Sequence, residues 1–394
     1  MIFVGIDVAS AKHDCAVVDN SGKILAEFIF PNNLDGFGLF RAKLQSLCNT
    51  SDFSDIQIGL ESTGHYSKNL VKYLLDKRLS VKVFNPLSVQ RLKKASTLRR
   101  TKTDKTDARF LAGLLFNDDS KPYEESVAQI SELKTLTRHR SRLVKESSGH
   151  KQHISRLITI VFPELATVFS TTSIATVRGL LFEFPSAADI AKADIRRLTN
   201  VLWKASKHRF GKDKAEELRA LARKSIGTTD RATSFELKQH LQALGFIKGQ
   251  IAGLDAMIQE IMDELDSPIV TIPGISYTLG AIILAEIGDI NNFATPAKLL
   301  AYAGLDPSCY QSGKFTATNT PMVKHGSRYL RYALMMAATT VRRSSPEFRE
   351  YFDKKTAEGK HYFVAASHTA KKLNRVIFHL LKYNNAYEPQ VLTA

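Results

Sequence analysis

Two aspartates lie three positions apart in the stretch "RRTKTDKTDARF", which covers residues 99 to 110. On a helix this separation places Asp104 and Asp107 on one face, about 4.5 Å apart along the axis. Paired carboxylates can hold a divalent cation, because hard oxygen donors suit Mg²⁺ and Mn²⁺. The simpler interpretations are two helix-capping acids, or solvated charges that interrupt a basic face.

Two further acids stand where they could join this pair. Asp7 lies inside the first predicted strand, "IFVGIDV", where a carboxylate is costly to bury without a partner. Glu61 closes the predicted strand "IQIGLE". Each acid alone could be a buried acceptor or a cap. The four together could converge at one sheet edge, where two metal ions would bind the attacking and leaving oxygens of a phosphodiester.

The charge of the chain indicates a polyanionic partner. Its 394 residues include 55 Lys and Arg against 39 Asp and Glu, a formal net charge of +16. Nucleic acid is the leading candidate, and an anionic membrane surface or a ribosomal-type role is the alternative. The predicted phosphate contacts are Arg99, Arg100, Lys102 and Lys105, together with Lys314 and with Lys324, Arg328 and Arg331 of "KHGSRYLR".

The sequence predicts neither a membrane-spanning helix nor a signal peptide. No apolar run approaches the ~18 residues of a spanning helix, and "MIFVGIDVAS" lacks the basic start of a signal peptide. Cys15, Cys48 and Cys309 have no zinc-type spacing and indicate a reducing compartment. We therefore expect a cytoplasmic protein without membrane attachment, associated with the nucleoid when bound to DNA.

The pattern changes twice along the chain. Residues 1 to 120 predict an α/β domain with a mixed sheet, made of a three-strand meander and then two strands separated by helices. Residues 125 to 266 repeat apolar side chains at three-and-four spacing, which predicts an antiparallel coiled-coil hairpin with inserted helices at 186 to 225. A plain helical bundle is the alternative.

Residues 267 to 394 form the third predicted domain, which is mainly helical. Its opening, "IVTIPGISYTLGAIILAEIGDI", has a Pro-Gly turn before a helix, as in one half of a helix-hairpin-helix. Such a turn presents backbone N–H groups to a phosphate. By itself the motif is weak, because a Pro-Gly turn precedes many helices.

Six stretches, in this order, resemble the successive landmarks of the insertion-sequence one-ten family, the DEDD transposases related to Piv-type DNA invertases. They are "GIDVASAKHDCAVVD", "LESTGHY", "KTDKTDA", "TIPGIS", "LAYAGLDPSCYQSGKF" and "KHGSRYLR". The resemblance implies a RuvC-like, RNase H-type N-terminal domain and a C-terminal transposase domain. It places the metal acids on Asp7, Glu61, Asp104 and Asp107, and the catalytic serine on Ser312. Ser276 and Ser327 depart from the family pattern, which usually has glycine and asparagine there.

The resemblance also implies a mechanism and partners. Ser312 would attack the phosphodiester and form a covalent phosphoserine, with Mg²⁺ or Mn²⁺ at the acids and Lys314 or Arg328 as helpers. Composite sites shared between protomers imply a homo-oligomer, a dimer or a tetramer. A structured bridge RNA would pair with element ends and target DNA.

Three alternatives remain open from the residues alone. A RuvC-like metal-dependent nuclease or Holliday-junction resolvase would keep the four acids and use water as the nucleophile. A binding protein with an inactive nuclease-like fold would need none of them. "GIDVAS" also resembles the phosphate loop of actin-like ATPases, but no second phosphate loop accompanies it.

Overall fold

The computed structural model describes most of the chain in two units, Met1–Glu125 and Ser126–Ala394. The described residues are 1–48, 53, 55–62, 65–96, 103–117, 128–171, 174–228, 230–308, 311–312, 315–316 and 321–389. Four predicted phosphate contacts, Arg99, Arg100, Lys102 and Lys314, lie outside them.

The first unit is built on a five-stranded sheet. Its strands are β1 (Ile2–Val8), β2 (Lys12–Asp19), β3 (Ile24–Pro31), β4 (Ile56–Glu61) and β5 (Ser80–Phe84), in the order β3-β2-β1-β4-β5. Short connections pair β1, β2 and β3 antiparallel, whereas β4 and β5, each preceded by a helix, run parallel to β1. This confirms the predicted mixed sheet of RNase H type. The helices of this unit are α1 (Leu34–Cys48), α2 (Ser67–Asp76), α3 (Pro86–Ser96) and α4 (Asp104–Leu114), with a 3₁₀ turn at Leu115–Asn117.

Alternating side chains give the sheet two different faces. Val4, Ile6 and Val8 of β1 enter a large core that includes apolar residues of α1 and α2. Phe3 lies on the opposite face, in a smaller cluster with Ala112 of α4. Asp7 shares the face of Phe3, and it therefore points to the side that α4 covers.

Helix α4 has a well-defined start. The Thr103 hydroxyl oxygen accepts a hydrogen bond from the backbone N–H of Thr106 at 3.2 Å, and the Thr106 hydroxyl accepts one from the backbone N–H of Thr103 at 3.1 Å. This reciprocal cap fixes the first turn. Asp104 and Asp107 both lie in that turn, where the helix dipole favours negative charge.

The second unit is mainly helical, and a single pair of long helices organises it. Its helices are α5 (Ala128–Val161), α6 (Leu165–Val168), α7 (Ala175–Glu183), α8 (Ala187–Lys192), α9 (Ile195–Ala205), α10 (Lys212–Ala222), α11 (Arg231–Leu265), α12 (Tyr277–Ile287), α13 (Pro296–Ala303), α14 (Arg328–Ser344), α15 (Pro346–Ala357) and α16 (Tyr362–Tyr383). Two short strands, β6 (Gln311–Ser312) and β7 (Phe315–Thr316), and 3₁₀ turns at Pro268–Thr271 and Ile290–Asn292 complete it.

Helices α5 and α11 form an antiparallel hairpin. Polar contacts mark its register, because each joins an early residue of one helix to a late residue of the other. They are Gln129 with Glu264, Arg140 with Asp255, and Arg156 with Glu236. Beyond Ile154 and up to Leu244 the two helices share a core with α7 to α10. Helices α7 to α10, which lie between α5 and α11 in the sequence, therefore pack at one end of this hairpin.

Residues of α13 to α16 share one core with α12, which is buried on all sides from Gly280 to Ile287. The Pro-Gly turn before α12 needs glycine, because Gly274 has φ +92° and a Cβ there would lie 2.9 Å from the Thr340 backbone. Ser276 then caps α12 by accepting from the backbone N–H of Leu279 at 3.3 Å. Within the part of the chain that the structure describes, no helix is both long enough and apolar enough to cross a bilayer.

Candidate active site

The first two acids lie next to each other on neighbouring strands. In the parallel pairing of β1 with β4, Ile6 lies opposite Leu60, and the next residues are Asp7 and Glu61. Both acids are half-buried. They stand at the carboxyl ends of parallel strands, the edge where the sequence predicts them.

Gly5 allows α4 to lie close to this edge. Gly5 lies opposite Gly59 of β4, two residues before Asp7 and on the same face. A Cβ on Gly5 would overlap the carbonyl oxygen of Ala108 and the amide nitrogen of Ala112, so the α4 backbone lies directly against the strand. Gly5 therefore determines how closely α4 approaches β1.

Electrostatics shows that the acids share one region. Burial raises the pKa of Asp7 from 3.8 to about 6, and repulsion from other carboxylates adds to the rise. Those carboxylates are Asp107, Asp104, Glu61 and Asp14, in decreasing order of effect. Among the described residues, however, no three acids bring carboxylate oxygens within 4.8 Å of one another. Asp107, Asp104 and Glu61 therefore lie near enough to Asp7 to act on its charge, but no three of these four acids form a close ligand group.

Asp14 is a fifth acid that the sequence analysis did not select. It lies directly opposite Asp7 in the β1–β2 pairing, and directly opposed residues of antiparallel strands share a face. The stretch "GIDVASAKHDC" could have indicated this pairing. A short turn at its middle places Asp7 and Asp14 at equal distances from the centre of the turn, and therefore opposite each other.

Basic side chains surround the acids. The Lys93 ammonium group of α3 forms an ion pair with Asp107. On β3, Glu27 accepts from Arg109 and, at 2.8 Å, from Lys105. Hydrogen bonds from Arg109 and then Lys105 hold the pKa of Glu27 at about 2. Lys105, a predicted phosphate contact, thus pairs with a carboxylate, although 59% of its side chain remains exposed.

The donor set fits a divalent cation. Every candidate ligand offers a carboxylate oxygen, and a bound cation would offset the burial and the carboxylate repulsion that raise the pKa of Asp7. The acids that would hold the cation are Asp7, Glu61, Asp104 and Asp107. To bind the cation, Asp107 would have to loosen its ion pair with Lys93.

The second unit carries Ser312 on a small β-hairpin. The N–H of Ser308 donates to the carbonyl of Pro321 at 2.9 Å, and the N–H of Val323 donates to the carbonyl of Asp306 at 3.0 Å. Further out, Ser312 of β6 pairs with Phe315 of β7. Ser308 is therefore at the base of the hairpin and Ser312 near its far end, which distinguishes two serines that lie four residues apart.

The predicted basic contacts of the second unit differ in exposure. Lys324 is exposed, with φ +57°. Arg328 is exposed and its guanidinium lies 4.8 Å from the ring centre of Tyr329. Arg331 is half-buried and donates to the carbonyl oxygens of Ala303 at 3.0 Å and Lys324 at 3.3 Å. Of the three, Arg331 contacts the protein's own backbone.

A buried carboxylate on α12 joins α5 to the start of α14. Glu286 of α12, only 1% exposed, accepts from Arg138 at 2.7 and 3.0 Å and from the Ser327 hydroxyl at 2.6 Å. Burial would raise the pKa of Glu286, but these hydrogen bonds hold it below its ordinary value. Ser327 also caps α14 through the N–H of Leu330 at 3.1 Å. The sequence analysis did not select Glu286, a lone acid in an apolar helix.

The first unit has the mixed sheet that was predicted, and two family models match the chain. Residues 4–163 match the model of the IS110-type DEDD domain, described as "Transposase". Residues 266–353 match "Transposase IS116/IS110/IS902 family". The chain belongs to the IS110 family of transposases. It is therefore a transposase, a DNA recombination enzyme, and its fold indicates dependence on a divalent metal.

Relatives match along nearly the whole chain. "Insertion element IS116 uncharacterized 44.8 kDa protein" of Streptomyces clavuligerus is 24% identical over 98% of this chain and 96% of its own length. "Mini-circle putative transposase for IS117" of Streptomyces coelicolor is 25% identical, over 99% and 96%. "Pilin gene-inverting protein" of Moraxella bovis is 21% identical, over 99% and 98%. A solved structure, "T. thermophilus RuvC in complex with Holliday junction substrate", covers 31% of this chain and 99% of its own, with 16% identity and a TM-score of 0.23.

Proposed function

We propose that this transposase cuts and rejoins DNA with Ser312 as nucleophile and with Mg²⁺ or Mn²⁺ bound by Asp7, Glu61, Asp104 and Asp107. The observation that supports the proposal is the raised pKa of Asp7, to which burial contributes most and the charges of Asp107, Asp104 and Glu61 add. Perturbed carboxyl groups near one another are typical of functional sites.

The chemistry follows from the residues. A bound divalent ion would neutralise charge on the phosphate oxygens. The Ser312 oxygen forms a bond to phosphorus while a bond to a DNA ribose oxygen breaks, the serine proton is lost, and the departing strand gains a hydroxyl. Reversal with another hydroxyl rejoins DNA without loss of bond energy. Lys314 and Arg328 would stabilise charge on the phosphate.

We also propose that a structured bridge RNA supplies the sequence specificity. The chain carries +16 charge, and its sequence contains no recognisable base-reading motif, which suits a protein that holds backbone and shape while base pairing selects the site. Lys324 and Lys105 keep exposed side chains for such backbone contacts. The substrates would be element ends and target DNA in the nucleoid, and the protein would act in the cytoplasm.

The active form is proposed to be a homo-oligomer, and α11 offers a surface for it. Phe235, Phe246 and Met257 recur every eleven residues, a spacing that keeps them on one helix face. Their side chains are 64%, 70% and 51% exposed, which is unusual for large apolar groups in line. A second copy of the same helix is the occupant proposed for this stripe.

Phe246→Glu is expected to weaken self-association. Burial of one phenylalanine is worth about 1.5–3 kcal/mol, so its loss should raise the Kd of the oligomer at least about tenfold. Light scattering across a concentration series measures this. Gln259→Glu also adds a negative charge at an exposed position of α11, about 140° around the helix from Phe246, and should leave the Kd unchanged. Equal behaviour of the two variants would place the interface elsewhere.

The serine mechanism has a direct test. Purified protein, Mg²⁺, candidate RNA and DNA that contains element ends should give a covalent protein–DNA adduct that maps to Ser312. Ser312→Ala should lose both adduct and strand transfer, whereas Ser308→Ala, at the base of the same hairpin, should keep both. Recombination without an adduct at Ser312 would overturn the serine mechanism.

The same experiment decides the second candidate, a nuclease that uses water. In that case Ser312→Ala would lose strand transfer and still nick DNA, because the four acids remain. This mechanism is the nearest alternative to the serine mechanism, because both would use the same four acids.

A further inference from the structure

Three histidines and a glutamate meet on the α5–α11 hairpin, in a separate unit from the acid site. His150 and His153 are three residues apart on α5, and Glu236 and His240 are four apart on α11. Both spacings place side chains on one helix face, and the antiparallel register brings the two faces together. We call these four residues the histidine cluster.

The contacts within the histidine cluster are close. The Nδ1 atoms of His150 and His240 lie 2.8 Å apart, so one neutral ring donates a hydrogen bond to the other. The ring of His153 stacks on His240, with centroids 4.7 Å apart and planes within 3°. Glu236 Oε1 lies 3.7 Å from His240 Nε2. Ligand atoms of His153, Glu236 and His240 all lie within 4.8 Å of one another.

We propose that the histidine cluster binds a divalent transition-metal ion of the Zn²⁺ class, with His153, His240 and Glu236 as ligands and His150 as fourth ligand or hydrogen-bond partner. Zn²⁺ binds imidazole nitrogen and carboxylate oxygen at about 2.0–2.2 Å, so ligand atoms around a tetrahedral ion are about 3.3 Å apart. The ligand atoms of this cluster, up to 4.8 Å apart, would close by rotation of side chains that are exposed or half-buried.

The donor chemistry separates this site from the acid site. Imidazole nitrogens favour Zn²⁺, Co²⁺ or Ni²⁺, whereas the all-carboxylate set in the first unit suits Mg²⁺ or Mn²⁺. Coordination requires a neutral ring, and burial, followed by the neighbouring His150 and His153, lowers the pKa of His240. An excess of Mg²⁺ should therefore not displace the ion.

A neighbouring side chain orients the carboxylate. Arg156 donates to Glu236 Oε1 at 2.7 Å, and the same oxygen lies 3.7 Å from His240 Nε2, so Arg156 holds this oxygen beside the cluster. Partners of this kind fix ligand orientation in known metal sites. Arg156 also places one positive charge beside the cluster. Because the cluster has only one carboxylate, this charge would repel a bound cation in part.

The position of the site suggests what the ion would do. Directly beyond the histidine cluster, Ile154 and Leu157 of α5 and Leu237 of α11 enter the core shared with the inserted helices. An ion bound by both long helices would fix their register where the inserted helices begin. Metal binding would then appear as a gain in stability, independent of DNA cleavage.

Zn²⁺ itself is the probe for the experiment. Equilibrium dialysis of the full chain against Zn²⁺ in excess Mg²⁺ should show one tightly bound Zn²⁺ per chain, and Co²⁺ should give visible d–d absorption. Zn²⁺ should also raise the Tm. His153→Ala and His240→Gln should each lose the bound ion, the absorption and the Tm shift. His139→Ala removes an exposed histidine of the same helix and should behave as the unmodified protein.

Folding defects are separated from loss of ligands by circular dichroism and by Glu236→Gln, whose side chain is 45% exposed and which keeps every imidazole. A folded Glu236→Gln protein should bind Zn²⁺ more weakly than His139→Ala. The proposal is overturned if the unmodified chain binds no Zn²⁺, or if folded His153→Ala and His240→Gln proteins bind it as well as His139→Ala does.

Discussion

Asp7→Asn is expected to abolish metal-dependent DNA cleavage and, at the same time, to stabilise the metal-free protein. Loss of one preorganised group at a transition state costs about 10²–10³ in rate, and here a ligand is lost as well. Asparagine keeps the shape of the side chain and removes the charge that Asp107, Asp104 and Glu61 repel. Activity and stability should therefore move in opposite directions.

The magnitude follows from the pKa of Asp7. A rise from 3.8 to about 6 corresponds to about 3 kcal/mol, and solvent screening of a half-buried carboxylate reduces it to about 1–3 kcal/mol. Because the folded protein holds the Asp7 proton more tightly than the unfolded chain, ionisation destabilises the fold, and the full penalty is present above about pH 6. The penalty fades as the pH falls from about 6 to about 4, where the carboxyl is protonated.

Chemical denaturation in EDTA, above pH 7 and again near pH 4, measures this effect. Asp7→Asn should exceed the unmodified protein in free energy of unfolding at the higher pH and approach it at the lower. Added Mg²⁺ should reverse the order, because only the unmodified site gains stability from the ligand. Cleavage by Asp7→Asn at the normal rate would contradict the assignment.

Asp14→Asn is the matched control. It removes a carboxylate directly opposite Asp7 but none of the four predicted ligands. Cleavage should persist, with a smaller gain in stability. If Asp14→Asn also lost cleavage, the metal site would have to include five acids.

Short-range signals account for what the sequence could predict. Asp7 and Glu61 stand at strand ends, and Asp104 and Asp107 follow the local cap at Thr103, so local signals and sheet pairing place each acid on its element. The α5–α11 hairpin followed from apolar periodicity in the same way.

Polar pairs between distant positions in the sequence could not be predicted in this way. Glu286 meets Arg138 across 148 positions, and His240 meets His150 across 90. Neither pair has a local pattern that specifies its partner, because charges and imidazoles at helix surfaces are common without one. Only the three-dimensional register of packed helices decides these contacts.

Gly5→Ala is expected to lose activity although Gly5 has no side chain that could do chemistry. Its added methyl group would overlap backbone atoms of Ala108 and Ala112, and backbone cannot change rotamer to make room. Overpacking of this kind costs about 1–3 kcal/mol. Helix α4 must move away from β1, and Asp104 and Asp107 move with it.

Gly113→Ala tests the same substitution on α4 itself. Nothing lies within 4 Å of a Cβ at this exposed position, and alanine favours helix, so α4 should gain up to about 1 kcal/mol. In thermal unfolding, Gly5→Ala should therefore lower the Tm and Gly113→Ala should raise it. Both variants keep the same four acids.

Affinity for Mg²⁺ distinguishes displacement of α4 from general instability. Gly5→Ala should bind Mg²⁺ more weakly than Gly113→Ala at a temperature where both are folded, because the acids on α4 no longer approach Asp7 and Glu61. Normal Mg²⁺ affinity in a destabilised Gly5→Ala protein would show that the acids keep their positions when α4 shifts. Gly5 would then matter for packing alone, and the approach of α4 to the sheet would not determine the affinity for Mg²⁺.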